Sequence, residues 1–219
     1  MAETDRYTQL PEPVPAGEHG FGLVLVAPLS DDNRDRISTI KAVIERRIGA
    51  QLWTPHTDIT LGHVLEMGRE GTRVEWEQRY QRVFPLAAKA LRAMAVTLAP
   101  FTSRFTTLQA SPQAVVAVAP EHTDPVVELR RRFLDVLASV PDSTPRVKYI
   151  DFVHTTLGRY TAEGIPMDDV RRVVNEVQDD PRMPLPFDQV TRVLVLGEEP
   201  KRYELIPRGA VPLLGRVRM

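Results

Sequence analysis

The chain has 219 residues, 42% of them hydrophobic and 26% charged, which excludes wholesale disorder and suits one large domain or two tightly joined lobes. With 28 basic and 29 acidic residues the net charge is −1, so no global basic field draws in a long nucleic acid, although a small anion needs only local positive charge. The absence of cysteine excludes disulfides, thiolate metal sites and cysteine nucleophiles.

Residues 1–19 are polar, carry Pro11, Pro13 and Pro15, and are expected to form a mobile arm. They lack a signal-peptide core, and the longest apolar runs are only about a strand in length. A soluble, cytoplasmic protein with no membrane partner is the expectation. Phe21 to Leu29 is a short apolar run that predicts a buried strand. Ser30, Asp31 and Asp32 offer N-cap oxygens to a helix carrying Ile37, Ile40, Val43, Ile44 and Ile48, with Gly49 suited to its C-terminal end. Leu52 to Leu65 is predicted to be extended, with Pro55 near its start. A long helix is expected from Val74 to Met94, kinked or split at Pro85.

Strands are then expected at Val96–Phe101, Arg104–Ala110 and Ala114–Ala119. Thr123, Asp124 and Pro125 start a helix whose apolar stripe is Val126, Leu129, Phe133, Val136 and Leu137. Pro141 to Pro145 is a loop, and Lys148 to Tyr160 a strand. A helix follows from Met167 to Val177, then strands at Val190–Leu196 and Arg202–Ile206 joined across Gly197–Lys201. The order strand, helix, strand, helix occurs twice at similar spacing, over residues 21–94 and 114–177. The fold class expected is α/β of the α+β type: two pseudo-symmetric lobes, each a mostly antiparallel sheet with helices on its outer face, around a central cleft. Residues 20–219 form that two-lobed unit.

The segment richest in chemistry is His154-Thr155-Thr156-Leu157-Gly158-Arg159. In a strand, His154 and Thr156 share a face: one supplies an imidazole for proton transfer near neutral pH, the other a hydroxyl for a phosphate oxygen. Phe152 lies on that face and is placed to wall a pocket. The first half carries Asp58-Ile59-Thr60-Leu61-Gly62-His63 at the equivalent place. Matching the two Thr-Leu-Gly tripeptides sets Asp58 against His154, Thr60 against Thr156, His63 against Arg159 and His56 against Phe152. His56, Asp58 and Thr60 share a face by parity. An arginine fork suits phosphate, and His63 is a second candidate contact, but in an ideal strand both His63 and Arg159 fall off the His154 face.

A His-x-Thr-hydrophobic motif used twice, once per half, resembles the two-histidine (2H) phosphoesterase superfamily. That group includes bacterial RNA 2′,3′-cyclic phosphodiesterases, often called 2′-5′ RNA ligases, and ADP-ribose cyclic phosphodiesterases. The resemblance runs from about Phe21 to Ile206. His154 to Arg159 is similar to the second motif, including its trailing arginine, and Pro55-His56-Thr57-Asp58-Ile59-Thr60-Leu61 to a disturbed first motif. The resemblance implies chemistry without metal or cofactor. One histidine is a base on water or a ribose hydroxyl, the other an acid on the leaving oxygen, and two threonines hold the non-bridging oxygens. It assigns His154 and Thr156 to one side and His56 and Thr60 to the other. The expected activity is a phosphodiesterase on 2′,3′-cyclic or 2′-5′ linkages of a small nucleotide or short RNA end, acting as a monomer with no DNA partner. The alternative is a non-catalytic nucleotide- or anion-binding protein on a degenerate scaffold.

Asp58 at the first-histidine position sets a carboxylate against an anionic phosphate, a repulsion of about 1 kcal/mol at ~4 Å in water and more when partly buried. Three outcomes stay open: His56 pairs with Asp58, Asp58 is itself the base, or the substrate is not a phosphodiester. His56, Asp58 and His63 would also make a nitrogen–oxygen metal set, against which the parity of His63 argues. Tyr149 and Tyr160 flank the second motif as base-stacking or core residues, and Arg130-Arg131-Arg132 is taken as the wet face of a helix. There is no glycine-rich phosphate loop, serine-centred nucleophile elbow or HExxH helix.

Overall fold

A computed structural model describes residues 22–54, 58–66, 73–120, 124–138, 153–160, 165–201 and 204–214. The arm expected over residues 1–19, the loop expected at Pro141–Pro145 and the start of the strand expected at Lys148 lie outside them.

The first strand, β1 (Gly22–Ala27), leads into helix α1 (Asp31–Ile48). Ser30 is the N-cap, its hydroxyl accepting from the Asn33 amide at 3.4 Å. Asp31 and Asp32 in the first turn and Arg46 and Arg47 in the last complement the helix dipole. Gly49 closes the helix at φ 69°, in the left-handed region that favours glycine. Two strands follow, β2 (Leu52–Trp53) and β3 (Ile59–Glu66), where one extended segment was expected.

Helix α2 (Arg73–Thr97) is unbroken through Pro85 and three residues longer than expected at its C-terminal end. Proline there removes only the bond to the Gln81 carbonyl, and both residues lie on the exposed face, where water can replace the lost donor. Val96 therefore ends a helix rather than starting a strand. The strands β4 (Phe101–Phe105), β5 (Thr107–Ala110) and β6 (Ala114–Ala119) come next, then α3 (Asp124–Ala138), β7 (Val153–Tyr160) and α4 (Met167–Gln178). The α4 helix buries Val170, Val173, Val174 and Val177, one apolar face at helical spacing. The run expected as one strand over 190–196 is divided at Arg192. Its first residues close β8 (Phe187–Thr191), which alternates buried and exposed against β4, and the rest open β9 (Val193–Lys201). Gly197–Lys201 belongs to β9 rather than to a connection, and β10 (Glu204–Pro212) returns beside it.

The fold is α+β with antiparallel sheets. The main sheet has the order β10-β9-β1-β3-β7-β6-β5, with β2 added on β7, and β4 and β8 form a separate ribbon. The repeat read from the sequence is visible in this order. Strands β3 and β7 meet at the centre, flanked by β1 and β6 and then by β9 and β5. The helices obey the same relation, α1 packing on α4 and on β7, and α2 on α3, which itself packs on β3.

One face of the sheet is dry. Leu23, Leu25, Ala27, Ile59, Leu61, Val115, Ala117, Val153 and Leu157 join the buried faces of all four helices in a single core. The opposite face carries the smaller cluster Val24, Val26 and Val195. The start of α1 is fastened to β8 by a buried polar joint. The Asn33 side-chain amide donates to Gln189 Oε1 at 2.9 Å and to the Asp188 carbonyl at 2.9 Å, and the Ser30 amide donates to the same Gln189 oxygen at 3.0 Å. Replacing Asn33 with alanine removes the side-chain donor from the Asp188 carbonyl and leaves Gln189 Oε1 with the Ser30 amide alone. The expected loss is ~1–3 kcal/mol, measured as a lower urea midpoint at unchanged slope.

Candidate functional site

The two motifs are brought together by the ladder between β3 and β7. Ile59 pairs with Thr155 and Thr60 with His154. The same transverse row continues from Thr60 to Val26 on one side and from His154 to Val118 on the other. Ile59 and Thr155 are fully buried on the helix side, whereas Thr60, His154 and Thr156 are half-buried on the other. The imidazole and the two threonine hydroxyls thus rise from one face of adjacent strands. Their neighbours Val26 and Val118 keep the floor of that face apolar.

Strand parity does not hold along the second motif, and this corrects the expectation for Arg159. Against β6, Val116 pairs with Thr156 but Val115 pairs with Gly158, so Leu157 is an extra residue, a β-bulge. Leu157 and Tyr160 then both join the helix-side core, three positions apart, and Arg159 between Gly158 and Tyr160 is returned to the face of His154 and Thr156. The first motif repeats the device. Against β1, Val26 pairs with Thr60 but Leu25 with Gly62, so Leu61 is the extra residue, and position 63 pairs with Val24. The shared Thr-Leu-Gly tripeptide is therefore a bulge sequence. Glycine is required at 158 because a Cβ there would stand 2.5 Å from Leu52 Cβ.

A bulge frees a carbonyl from its ladder, and both freed leucine carbonyls are held by side chains from elsewhere. Thr54 Oγ1 donates to the Leu157 carbonyl at 2.6 Å, and Arg130 Nε donates to the Leu61 carbonyl at 2.8 Å. Arg130 is 7% exposed, which corrects the view of residues 130–132 as a solvated run. Its position beside Val126 and Leu129, at the spacing of the α3 apolar stripe, is the signal in the sequence. Arg131 and Arg132 do face outward and both bond Glu128; Arg132 first, then Arg131, holds that carboxyl below the ordinary carboxylate range.

Asp58 lies one step before the Ile59–Thr155 pair, level with Thr156. Its carboxylate, 20% exposed, is 3.6 Å from Arg34 Nη2, from the first turns of α1. Arg34 also contacts Asp31 at 3.2 Å. The acid at the first-histidine position is thus matched by a guanidinium, an arrangement with no signature in the sequence because the two residues lie on different elements. His56 and Phe152 lie outside the described residues, and His63 is placed by its backbone pairing alone. Tyr160 is 2% exposed and belongs to the core. Among the described residues no group of three or more histidine or carboxylate side chains is arranged to hold a metal ion, and no helix is long and apolar enough to cross a membrane.

No family model matches the sequence, and no curated protein matches it significantly. Solved structures do match the fold. The apo form of Escherichia coli LigT superimposes with a TM-score of 0.56 at 15% identity, over 88% of this chain and 96% of LigT. Usb1 of Kluyveromyces marxianus gives 0.51 at 12% identity, over 91% of this chain and all of that one. The chain shares the fold of LigT and Usb1. A conserved protein of unknown function from Agrobacterium tumefaciens shares it, with a TM-score of 0.57 at 13% identity over 94% of each chain. At such identities the likeness is one of fold, and the chemistry must be argued from the residues themselves.

Thr54→Val keeps the side-chain shape and deletes the hydroxyl that holds the Leu157 carbonyl. It is expected to cost ~1–3 kcal/mol, and Gly158→Ala a similar amount through the clash with Leu52. Thermal or urea unfolding of the two variants measures both losses.

Proposed function

We propose that this chain is a phosphodiesterase acting on 2′,3′-cyclic or 2′-5′ phosphate linkages of a nucleotide or short RNA end, with proton transfer by side chains and no metal or cofactor in the step. The observation that carries this reading is the register of Thr60 with His154, which sets an imidazole and the hydroxyls of Thr60 and Thr156 on one sheet face. The Leu157 bulge adds Arg159 to them.

A phosphate seated over this row meets two neutral hydroxyl donors and a guanidinium. The hydroxyls suit non-bridging oxygens, and arginine binds them through paired N–H groups. His154 is the proton-transfer group on one side of the phosphorus, acting on the leaving oxygen or on the attacking water according to direction. The opposite proton is handled from the first motif. His56 takes that part, with His63 a second phosphate contact, and Asp58 assists through its charge or as the base itself. Arg34 beside Asp58 offsets the carboxylate's repulsion of the anion. The crystallisation of E. coli LigT with phosphate, with 3′-AMP and with ATP agrees with a nucleotide-sized anion on this fold.

Hydrolysis of a 2′,3′-cyclic nucleotide monophosphate in the presence of chelator tests the reading. His154→Ala and His56→Ala are each expected to lower kcat by about 10²–10⁴-fold. A wild-type chain inert on this and on a 2′-5′ linked oligonucleotide would refute it. It would favour a nucleotide- or anion-binding protein, the reading that the Arg34–Asp58 pair at the first-histidine position supports.

The same pair gives a separate prediction. Arg34→Gln leaves an uncompensated carboxylate near the phosphate and is expected to raise KM by about 5-fold or more, equivalent to the ~1 kcal/mol of an exposed charge pair. Arg34→Gln combined with Asp58→Asn is expected to return KM towards the wild-type value, as steady-state kinetics at low ionic strength would show.

A further inference from the structure

Trp53 is 42% exposed and is the only aromatic among the exposed large hydrophobic residues of the described chain. Its position is fixed by its surroundings. Leu52, its neighbour in β2, is buried in the helix-side core at 3% exposure, so alternation turns Trp53 to the opposite face. Its ladder partner on β7 is Arg159, and Leu52 pairs with Tyr160, which is itself in the core. Since the Leu157 bulge puts Arg159 on the face of His154 and Thr156, it puts Trp53 there too. Directly paired residues have Cβ atoms about 5 Å apart. Thr156 and Arg159 pair with Val116 and Ala114, two residues apart on β6, so with the bulge between them they lie roughly 7 Å apart along the strand. That is about the reach from a phosphate through its ribose to the base.

We propose that Trp53 is a stacking platform for a nucleobase of the ligand whose phosphate lies over Thr60, His154 and Thr156. An indole offers a large flat apolar surface, and every base has a π-face to lay on it, so such a platform selects nucleotides over plain phosphates without selecting one sequence. The neighbouring guanidinium adds a second flat group able to stack or to reach the phosphate. Of the two roles open to Tyr160, stacking or core packing, the structure gives it the core, and the exposed aromatic stands across the ladder from Arg159. For the position of the phosphate, the proposal rests on the site described under the proposed function; it does not require that the chain hydrolyse anything.

Two measurements on the full chain test it. In a Trp76→Phe background, where Trp53 is the sole indole, titration with adenosine 2′-monophosphate is expected to quench the emission, and inorganic phosphate is not. In kinetics with an otherwise unchanged chain, Trp53→Ala is expected to raise KM for adenosine 2′,3′-cyclic monophosphate by about 5- to 150-fold with kcat largely kept, Trp53→Phe by less. Ribose 2′,3′-cyclic phosphate, which has no base, is expected to be indifferent to both substitutions. Equal losses on the two substrates, or an emission that phosphate alters as much as the nucleotide does, would overturn the platform. Quenching by the nucleotide in a chain that turns over neither diester would support the platform while refuting the phosphodiesterase reading. Turnover with no response of either kind at Trp53 would do the reverse.

Discussion

The pairing of Thr60 with His154 across two central strands is the contact on which the rest of the site depends. It joins the two halves of the chain into one sheet, and its ladder places residues separated by about ninety positions in sequence side by side. The ladder between β3 and β7 is short, but it is flanked by the longer pairings of β3 with β1 and of β7 with β6. Those outer ladders, and the four helices on the dry face, hold it in register. A slip of one residue would turn His154 into the core and Thr155 out of it, at the cost of burying an imidazole and exposing apolar surface.

The paired bulges are the second structural device. Each inserts one leucine, at 61 and at 157, and the second turns the chain so that Arg159 returns to the face of Thr156. At Arg159 the residues on either side, Gly158 and Tyr160, are both buried. Bulges commonly re-aim a side chain near a functional site, and they expose a carbonyl that must find a donor. Thr54 and Arg130 supply the donors, one from the strand segment before the first motif and one from α3. Each motif is thereby fastened by a residue that makes no contact required by the chemistry.

Charge balance at the first motif follows a similar logic. A carboxylate at Asp58 would repel a phosphate from a face that otherwise presents hydroxyls and a guanidinium. The Arg34 guanidinium at 3.6 Å offsets it from outside the sheet. Histidine at the second motif and a compensated acid at the first make the two halves chemically unequal on a backbone that treats them alike. Such inequality is compatible with two distinct proton-transfer roles.

The sequence by itself determined the repeat, the four helices and the identity of both motifs, because these are written in local periodicity and in short-range residue types. The Ile37, Ile40, Ile44 spacing of α1, its Ser30 cap and Gly49 are local chemistry and were legible. What only the tertiary structure decided were the features in which distant elements meet. Pro85 was tolerated because its lost bond faces water, the end of α2 at Val96 is met by the chain after β10, where the Leu214 amide donates to the Ala95 carbonyl, and Gly197–Lys201 paired because β10 lies alongside. Parity assigned Arg159 to the wrong face because a bulge depends on the partner strand, which a single strand's alternation cannot report. The meeting of Arg34 with Asp58, of Arg130 with Leu61 and of Trp53 with Arg159 depends likewise on how helices and strands pack, and packing is a property of the whole chain.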